Sequence, residues 1–571
     1  MLSDKSGKVK NLIIISFLSV FAIYPLFNTD TFVGHDMPDH ITRCEELKYS
    51  LEHGVFFPRI FPNLCYGYST PIFNYQSPLF YYAVCFAAFF AGKITVAIKI
   101  ICALCFILSG IFMYQLVRYL WNDTAGIIAG VLYIYTPYHI SQIYVRSSLT
   151  EFFAVTFFPL LMLQYLKYVD ERTKIRFFFL SLLNGILILS HNPMALIFPC
   201  FLCAYFLYRS FLERSFNVFL KFLKPLFTGL LLASFFWVPA INENQYIQLS
   251  RLMRGISDYY IHFVYFDQFF SPFWGYGYSI PGPFDGMSFQ LGFFNIIAFI
   301  FSIFLIRRYE GNQKHLIIFL VCSFLVSVFL MMLGSHKIWD NFPLLGYIQY
   351  PWRFLALTGF ISSLLMGGVV SLFFAAGNTG GSKDLYSMIV ILIIFSTYNF
   401  FKGINYSSEG LLPTTPERVR YSGTTSSFRD EYLPIWVKNK PTTVFRDKVE
   451  PVDARPFISD LFVKPLDIRF SCNVVERESL LRINTFYFPG WQAYLNGGEI
   501  DIHYEDVYNG IIHLKIPQGK HHVKIWFKGT TCQQVSFWIS LITLILMTAY
   551  TLYGSLIKLM RNDNEVAKLK A

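Results

Sequence analysis

The chain contains 571 residues, of which 54% are hydrophobic and 15% are charged. Soluble domains carry about 25% charged residues, so this composition excludes a water-soluble enzyme, a disordered chain and a disulfide-rich scaffold. The formal net charge of +11 does not indicate a nucleic-acid partner, because Lys and Arg gather at the ends of apolar segments, as they do in loops that fix membrane topology. We therefore predict a polytopic α-helical membrane protein.

Hydrophobic segments recur along the chain, and a helix needs about 20 residues to cross the hydrocarbon core. About twelve spans are predicted, at residues 11–28, 96–118, 124–140, 151–168, 176–191, 193–209, 226–242, 290–306, 315–333, 354–376, 386–402 and 536–557. Lysines precede the first span, which carries no small-residue cleavage site, so both termini are expected in the cytoplasm. This topology requires segment 77–92 to lie as a helix on the outer membrane face, which its aromatic content suits.

The remaining segments divide the chain into three parts. We expect a transmembrane domain at 1–402 with a large first outer loop at 29–95, an extracytoplasmic domain at 403–535, and a last span with a cytoplasmic tail at 536–571. Short alternating runs in the outer domain predict a small antiparallel β-sandwich, with turn signals that include 517–520. This domain is expected to serve either as a structural cap or in glycan recognition, with three aromatic side chains as stacking platforms: Trp491, Tyr494 and Trp526.

The first outer loop carries two acids and two imidazoles within the run Gly34–His40. Pro38 suits the first turn of a helix and Gly54 suits its end. Asp36 would then lie just before the helix, where the positive end of the helix dipole favours its ionised form, with Asp39 and His40 on the first turn. Such a group fits a general base or a metal site, whereas the simpler interpretation is an ordinary solvated helix start.

Other candidates lie on the later outer loops. The run Arg146–Glu151 has the spacing of a capping box from Ser148 to Glu151, which explains those two residues without catalysis but leaves Arg146 unexplained. His191 lies at a turn between two apolar segments, and Arg353 enters a span, where a charge is usually paired or functional. The aromatic, Gly-rich run 269–278 is a candidate lid or lipid-tail groove.

Several short motifs resemble known families. The layout of an acid in the first outer loop followed by a juxtamembrane helix is similar to the GT-C superfamily of membrane glycosyltransferases. The runs 488–497 and 517–521 resemble the C-terminal domain of bacterial YfhO-like membrane proteins. The runs 34–36, 66–68, 350–354 and 431–434 resemble a related group labelled 6-pyruvoyl-tetrahydropterin-synthase-related. No cluster of zinc-binding histidines of the kind that the soluble pterin enzyme needs stands out in the sequence.

The resemblance implies an enzyme of the bacterial inner membrane with its active site on the extracytoplasmic face. It would transfer a sugar, with inversion, from a polyprenyl-phosphate donor to a cell-envelope glycan, lipid or protein, surrounded by membrane lipids and without nucleic acid. The resemblance assigns Asp36 as the base and Glu151 to orient the acceptor or share a metal. A shift of the helix start by one residue would exchange Asp36 and Asp39, so the sequence leaves open which of the two faces the donor. The substrate-binding candidates are Asp39, His40, Arg146, His191 and Arg353.

Two further points stay open in the sequence. A two-acid DxD metal signature is missing from the outer loops, so no metal ligands are assigned, although His35, Asp36, Asp39 and His40 could hold one divalent ion. The alternative functions are a lipid-linked glycan transporter and a non-catalytic envelope scaffold that binds glycans.

Overall fold

The computed structural model describes residues 2–249, 259–374, 382–403, 406–407, 412–427, 429–453 and 456–570. The end of the predicted span 354–376 lies outside these residues. The described helices are Leu2–Ile23, Met37–Glu52, Leu79–Ala91, Ile94–Leu120, Asp123–Ile134, Pro137–Ile140, Leu149–Thr156, Phe158–Asp170, Lys174–Ser190, Asn192–Leu212, Phe216–Leu232, Ser234–Asn242, Phe293–Leu305, Gly311–Met331, His336–Asn341, Pro343–Gly346, Leu355–Phe374, Ser382–Thr397, Pro416–Ser422 and Thr531–Lys570.

Seven of the described helical segments are long and apolar enough to cross a membrane. They are Gly7–Phe27, Ile94–Leu120, Leu149–Asp170, Asn192–Leu212, Gly311–Met331, Pro351–Phe373 and Thr531–Tyr553. An eighth crossing is possible at 216–242, but there two helices meet at a bend of 73°. The predicted span 226–242 contains this bend. The predicted spans 124–140, 176–191, 290–306 and 386–402 coincide with shorter helices.

The predicted span 124–140 shows why some helices are short. Its first part forms Asp123–Ile134, and the chain then leaves the helical conformation at Thr136, with φ −59° and ψ 126°. Thr136 precedes Pro137, and a residue before proline is disfavoured in the helical region by a clash with the proline ring. A separate short helix and a π-helical turn follow and carry the chain to Arg146.

Two helices of the first outer loop follow their sequence signals. Met37–Glu52 begins with Pro38 in its first turn, and Gly54 follows its end with φ +82°, as the sequence predicts. Leu79–Ala91 forms within segment 77–92. Phe86, Phe89 and Phe90 near its end are 70–83% exposed on the protein surface, and the placement of this helix on the outer membrane face stays a prediction.

The C-terminal region forms one antiparallel sheet. The strands of the described chain are β1 Thr31–Phe32, β2 Tyr406–Ser407, β3 Val449–Pro451, β4 Phe457–Lys464, β5 Asp467–Phe486, β6 Trp491–Leu495, β7 Gly498–Ile500 and β8 Ile511–Phe527. Strands β3-β5-β8-β6-β7 are hydrogen-bonded in that order, β4 also pairs with β5, and β1 pairs with β2 separately. The described C-terminal region therefore has one six-stranded sheet built on the long strands β5 and β8, whereas the expected sandwich would have two separate sheets.

Two further expectations for this region are corrected. The predicted turn at 517–520 does not form, because β8 runs through it, and the register against β5 shifts between Val474 and Glu478. A shift of this kind tolerates Pro517, which has no N–H for the ladder. Trp491 is 5% exposed and packs against Phe527, so it is part of the core and not a stacking platform.

The C-terminal region is fastened to the first outer loop at several places besides the pairing of β1 with β2. Arg43 on the helix Met37–Glu52 donates through Nε to the Ser426 hydroxyl at 2.9 Å, and a second guanidinium nitrogen donates to the Ser426 carbonyl. At another place, the Phe486 N–H donates to the Tyr68 carbonyl at 2.7 Å, and Arg482 donates to the Tyr68 hydroxyl. These contacts fix the helix that Asp36 precedes.

Candidate functional site

The centre of the candidate site is the carboxylate of Glu151, in the first turn of the helix Leu149–Thr156. It is completely buried and is surrounded by donors. One carboxylate oxygen accepts from the Tyr138 hydroxyl and from the Gln142 amide at 3.0 Å. The other oxygen accepts from the Ser148 hydroxyl at 3.2 Å. Ser148 makes no side-chain cap to the helix backbone, so the capping-box interpretation is wrong and the hydroxyl serves the carboxylate instead.

Two arginines converge on that second oxygen. Arg146 approaches it to 3.3 Å and Arg353 to 3.4 Å. The Arg146 guanidinium lies 4.2 Å from the centre of the Trp352 ring, and the Arg353 guanidinium lies 4.9 Å from that of Tyr350. Both side chains are buried, and two cations share one anion. Since Arg353 also donates to the Ile348 carbonyl at 2.6 Å, the two guanidinium groups are held in fixed positions.

Asp36 lies beside this cluster because the first outer loop is bonded to the loop that carries Arg146. The Asp36 N–H donates to the Arg146 carbonyl at 2.9 Å, and the Gly34 N–H donates to the Ser147 hydroxyl at 3.2 Å. A Cβ on Gly34 would lie 2.3 Å from that hydroxyl and 2.6 Å from the Val145 carbonyl. Only glycine permits this approach, which gives Gly34 in the Gly-His-Asp run a physical role.

The Asp36 side chain is open to solvent, yet protein surrounds it closely. Burial by these neighbours raises the pKa of its carboxyl, while the charges of Arg146, Arg43 and Arg353 act in the opposite direction. An accessible carboxyl with a raised pKa, beside fixed cations, has the properties of a general base.

A cavity of about 510 Å³ opens beside Arg353. Its wall is mostly apolar and includes Phe236, Trp237 and Ile241 from the bent helix pair, and its polar end carries Arg353, Gln349 and His191. The Nδ1 atom of His191 is buried without a hydrogen-bond partner. The rim residues Ile241 and Leu344 are 60% and 65% exposed. The cavity therefore joins an apolar outer surface to a cationic end.

The remaining predicted residues have hydrogen-bond or charge partners other than Glu151. His40 is buried and its Nδ1 is 3.0 Å from the Tyr81 hydroxyl. Asp39 is close to Arg43, whose charge opposes the rise in the Asp39 pKa that burial causes. His35 bonds to the Tyr276 carbonyl at 3.0 Å. No three His, Cys, Asp or Glu side chains in the described part of the chain are grouped to hold a metal ion, so the four residues of the 35–40 run do not fit that role.

Sequence reasoning overlooked several contributors. Tyr138, Gln142 and Trp352 contact the charged cluster, and Tyr432 from the C-terminal region lines the cavity. Trp352 and Tyr432 lie inside the runs 350–354 and 431–434, and the resemblance of these runs to a known family could have identified both residues. Tyr138 and Gln142 precede Glu151 by 13 and 9 residues, and the irregular π-helical turn between them hides that proximity.

Comparison with known proteins gives one similar curated sequence. An uncharacterized protein of Lactococcus lactis subsp. cremoris (strain MG1363) is 24% identical over 591 aligned positions, which cover 96% of this chain and 95% of that protein.

Two solved structures of Archaeoglobus fulgidus are similar in part. The oligosaccharyltransferase in complex with Zn and sulfate has 14% identity and a TM-score of 0.41, over 69% of this chain and 54% of that chain. The oligosaccharyltransferase AglB in complex with an inhibitory peptide and a dolichol-phosphate has 14% identity and a TM-score of 0.45, over 78% and 62%. In both cases the match spans less than two thirds of the archaeal chain.

A family match covers more than half of the chain. Residues 73–404 match the family described as "6-pyruvoyl-tetrahydropterin synthase related domain; membrane protein". The match includes Arg146, Glu151, His191 and Arg353, and it confirms the resemblance that the short motifs indicated. The chain therefore belongs to this family of membrane proteins.

Proposed function

We propose that the protein is a membrane glycosyltransferase that moves a sugar from a polyprenyl-phosphate donor to a cell-envelope acceptor. The observation that carries the proposal is that Arg353, one of two buried arginines on the Glu151 carboxylate, lines the polar end of an apolar cavity. Arg353 presents its positive charge to the cavity, and Arg146 shares its counter-ion Glu151. Guanidinium groups bind phosphate with paired hydrogen bonds.

The cavity supports a lipid as the carrier of that phosphate. Its apolar wall would hold the first prenyl units, and the exposed apolar rim would let the rest of the chain run into the bilayer. Arg353 and the unpartnered His191 Nδ1 at the polar end would contact the headgroup. Glu151, enclosed by five donor side chains, would then be a positioning residue that keeps both arginines in place, and it would not touch the acceptor.

Asp36 is the residue that we assign as the base. The acceptor hydroxyl oxygen would attack the anomeric carbon, and the bond from that carbon to the phosphate oxygen would break. The electron pair would stay on the phosphate beside the arginines, and the hydroxyl proton would pass to Asp36. Direct displacement inverts the anomeric centre, and a positioned base contributes about 10²–10⁴ in rate.

The placement of charges supports an extracytoplasmic site. Glu151 begins the segment Leu149–Asp170, and the far end of that segment carries Lys167 and Asp170, the latter paired with Arg209. Basic residues collect on the cytoplasmic side of membrane proteins, so the end with Glu151 and Asp36 belongs outside. The sheet region at 403–535 would lie on the same side, because its Ser426 binds Arg43.

The test is mass spectrometry of lipid-linked sugars in a deletion strain restored with wild type, Asp36→Asn or Asp30→Asn. Asp30 is an exposed acid of the same loop and is the matched control. We expect a polyprenyl-phosphate monosaccharide to accumulate in the deletion and Asp36→Asn strains only, with loss of one sugar from an envelope glycan. A normal profile with Asp36→Asn, present in the membrane at wild-type amounts, overturns the assignment and favours a transporter or a scaffold.

A further inference from the structure

We propose that the exposed ring of Tyr278, stacked on His35 beside Asp36, is a carbohydrate-binding platform, so that the acceptor is itself a sugar. The inference rests on the proposed transfer and specifies its acceptor. The first support for it is the direction from which the acceptor would approach. Among the described residues that line the apolar cavity, Arg353 is present and Asp36 is not. With the donor in the cavity, the acceptor would reach the exposed Asp36 from solvent. His35, the residue before Asp36, stacks on Tyr278.

Tyr278 lies on a hydrogen-bonded backbone hairpin. The Gly277 N–H donates to the Gly286 carbonyl at 2.8 Å, and the Gly286 N–H donates to the Tyr278 carbonyl at 3.0 Å. A Cβ on Gly286 would lie 2.7 Å from the Gly277 Cα, so the two strands of the hairpin touch through their backbones. Trp274, just before the hairpin, stacks on Phe400 at 4.3 Å. These contacts hold the backbone that carries Tyr278, and its ring rests on His35.

The ring presents one face to the protein and leaves the rest open. Its centre is 4.2 Å from that of the His35 imidazole at an angle of 30°, and the side chain is still 61% exposed. The face of an aromatic ring is negative and attracts the polarised C–H groups on one side of a sugar ring. An exposed tyrosine stacked on the residue next to Asp36 is suited to that contact.

The polar groups beside the ring also select a sugar. His35 Nε2 lies 3.0 Å from the Tyr276 carbonyl, so Nε2 carries the proton and Nδ1 is an acceptor in the neutral imidazole. Burial lowers the pKa of His35, although the hydrogen bond to that carbonyl acts in the opposite direction. The lowered pKa favours the neutral ring. His35 Nδ1 and the Asp36 carboxylate thus both accept hydrogen bonds, and hydroxyl groups are the donors that a sugar supplies in number. A phosphorylated headgroup would meet acceptors where it needs donors.

The test is saturation-transfer NMR on the full-length protein in nanodiscs, with methyl glycosides of glucose, galactose, mannose and N-acetylglucosamine as probes. We expect wild type to give a signal with at least one glycoside, Tyr278→Ala to reduce it at least fivefold, and Tyr278→Phe to keep it. Phe284→Ala is the matched control, because Phe284 is an aromatic of the same segment and is 86% exposed. Trp526→Ala tests the sheet region as a rival platform.

Each other result overturns the inference. No signal with any glycoside in wild type, an undiminished signal in Tyr278→Ala, or a signal lost only in Trp526→Ala excludes the platform. The experiment uses no lipid donor and no turnover, so its outcome is separable from that of the proposed transfer. If sugar binding depends on Tyr278 but the Asp36→Asn variant leaves the lipid profile normal, the sugar site is retained and the transferase assignment is wrong. If the Asp36→Asn strain accumulates the lipid-linked sugar but binding does not depend on Tyr278, the transferase assignment is retained and the sugar site is wrong.

Discussion

The buried ion cluster makes Glu151→Gln the most informative single substitution. The change keeps the shape of the side chain and removes the charge that Arg146 and Arg353 share at 3.3 and 3.4 Å. Breaking a buried ion pair by removing one partner costs about 3–5 kcal/mol, because the other charge stays buried without compensation. Here two guanidinium groups lose their anion, so we expect a loss at the upper end of that range.

A matched control lies at the other end of the same segment. Asp170 pairs with Arg209 at 2.9 Å, and its side chain is 42% exposed. Exposed pairs contribute about 0–1 kcal/mol, so Asp170→Asn removes one charge from the same helical segment at little cost. Since total stabilities are about 5–15 kcal/mol, only the Glu151 variant is expected to lose a large share of folded protein.

The assay is reversible unfolding of the purified protein in mixed micelles, followed by tryptophan fluorescence. We expect the unfolding free energy to fall at least about 2 kcal/mol further for Glu151→Gln than for Asp170→Asn. The double variant Arg146→Gln/Glu151→Gln is expected to be more stable than Glu151→Gln alone, because it removes one of the two uncompensated charges. Equal losses in the Glu151 and Asp170 variants would refute the view that the cluster is held by its charges.

Three further predictions concern the first outer loop and the sheet region. Gly34→Ala is expected to lower donor consumption at least tenfold, because its Cβ would meet the Val145 carbonyl at 2.6 Å, whereas Gly346→Ala, with nothing within 4 Å, is expected to be silent. Donor consumption is expected to fall on acidification with a midpoint above the ordinary Asp pKa of 3.8, because burial raises the pKa of Asp36 and the base must be ionised; a rate that is constant down to that pH contradicts the assignment. Burial, with a smaller contribution from Arg420, lowers the pKa of Lys448 from 10.5 to about 7, so the folded protein binds fewer protons than the unfolded chain between these values. Stability is then expected to rise with pH across that window, and unfolding measured for Lys448→Met, which keeps the packing but cannot titrate, is expected to lack this rise.

The features that the sequence determined by itself are those with local physical signals. Low charge and recurrent apolar segments identify a membrane protein, and the family match and seven candidate spans agree with that prediction. Pro38 and Gly54 bracket a helix because each acts on its own backbone. Asp36 could therefore be located at a helix start, and Arg146, Glu151, His191 and Arg353 could be chosen as charged or titratable groups near apolar segments.

Tertiary structure alone decided what these residues do. Glu151 pairs with Arg353, which lies 202 positions further along the chain. No sequence periodicity predicts which of the arginines will pair with a buried carboxylate. The bend of 73° at 216–242 and the passage of β8 through Pro517 depend on neighbours that a local pattern does not contain. Burial is likewise a property of the assembled protein. It turned Glu151 from a candidate for substrate contact into an enclosed counter-ion and left Asp36 accessible, because desolvation and charge pairing act through space and not along the sequence.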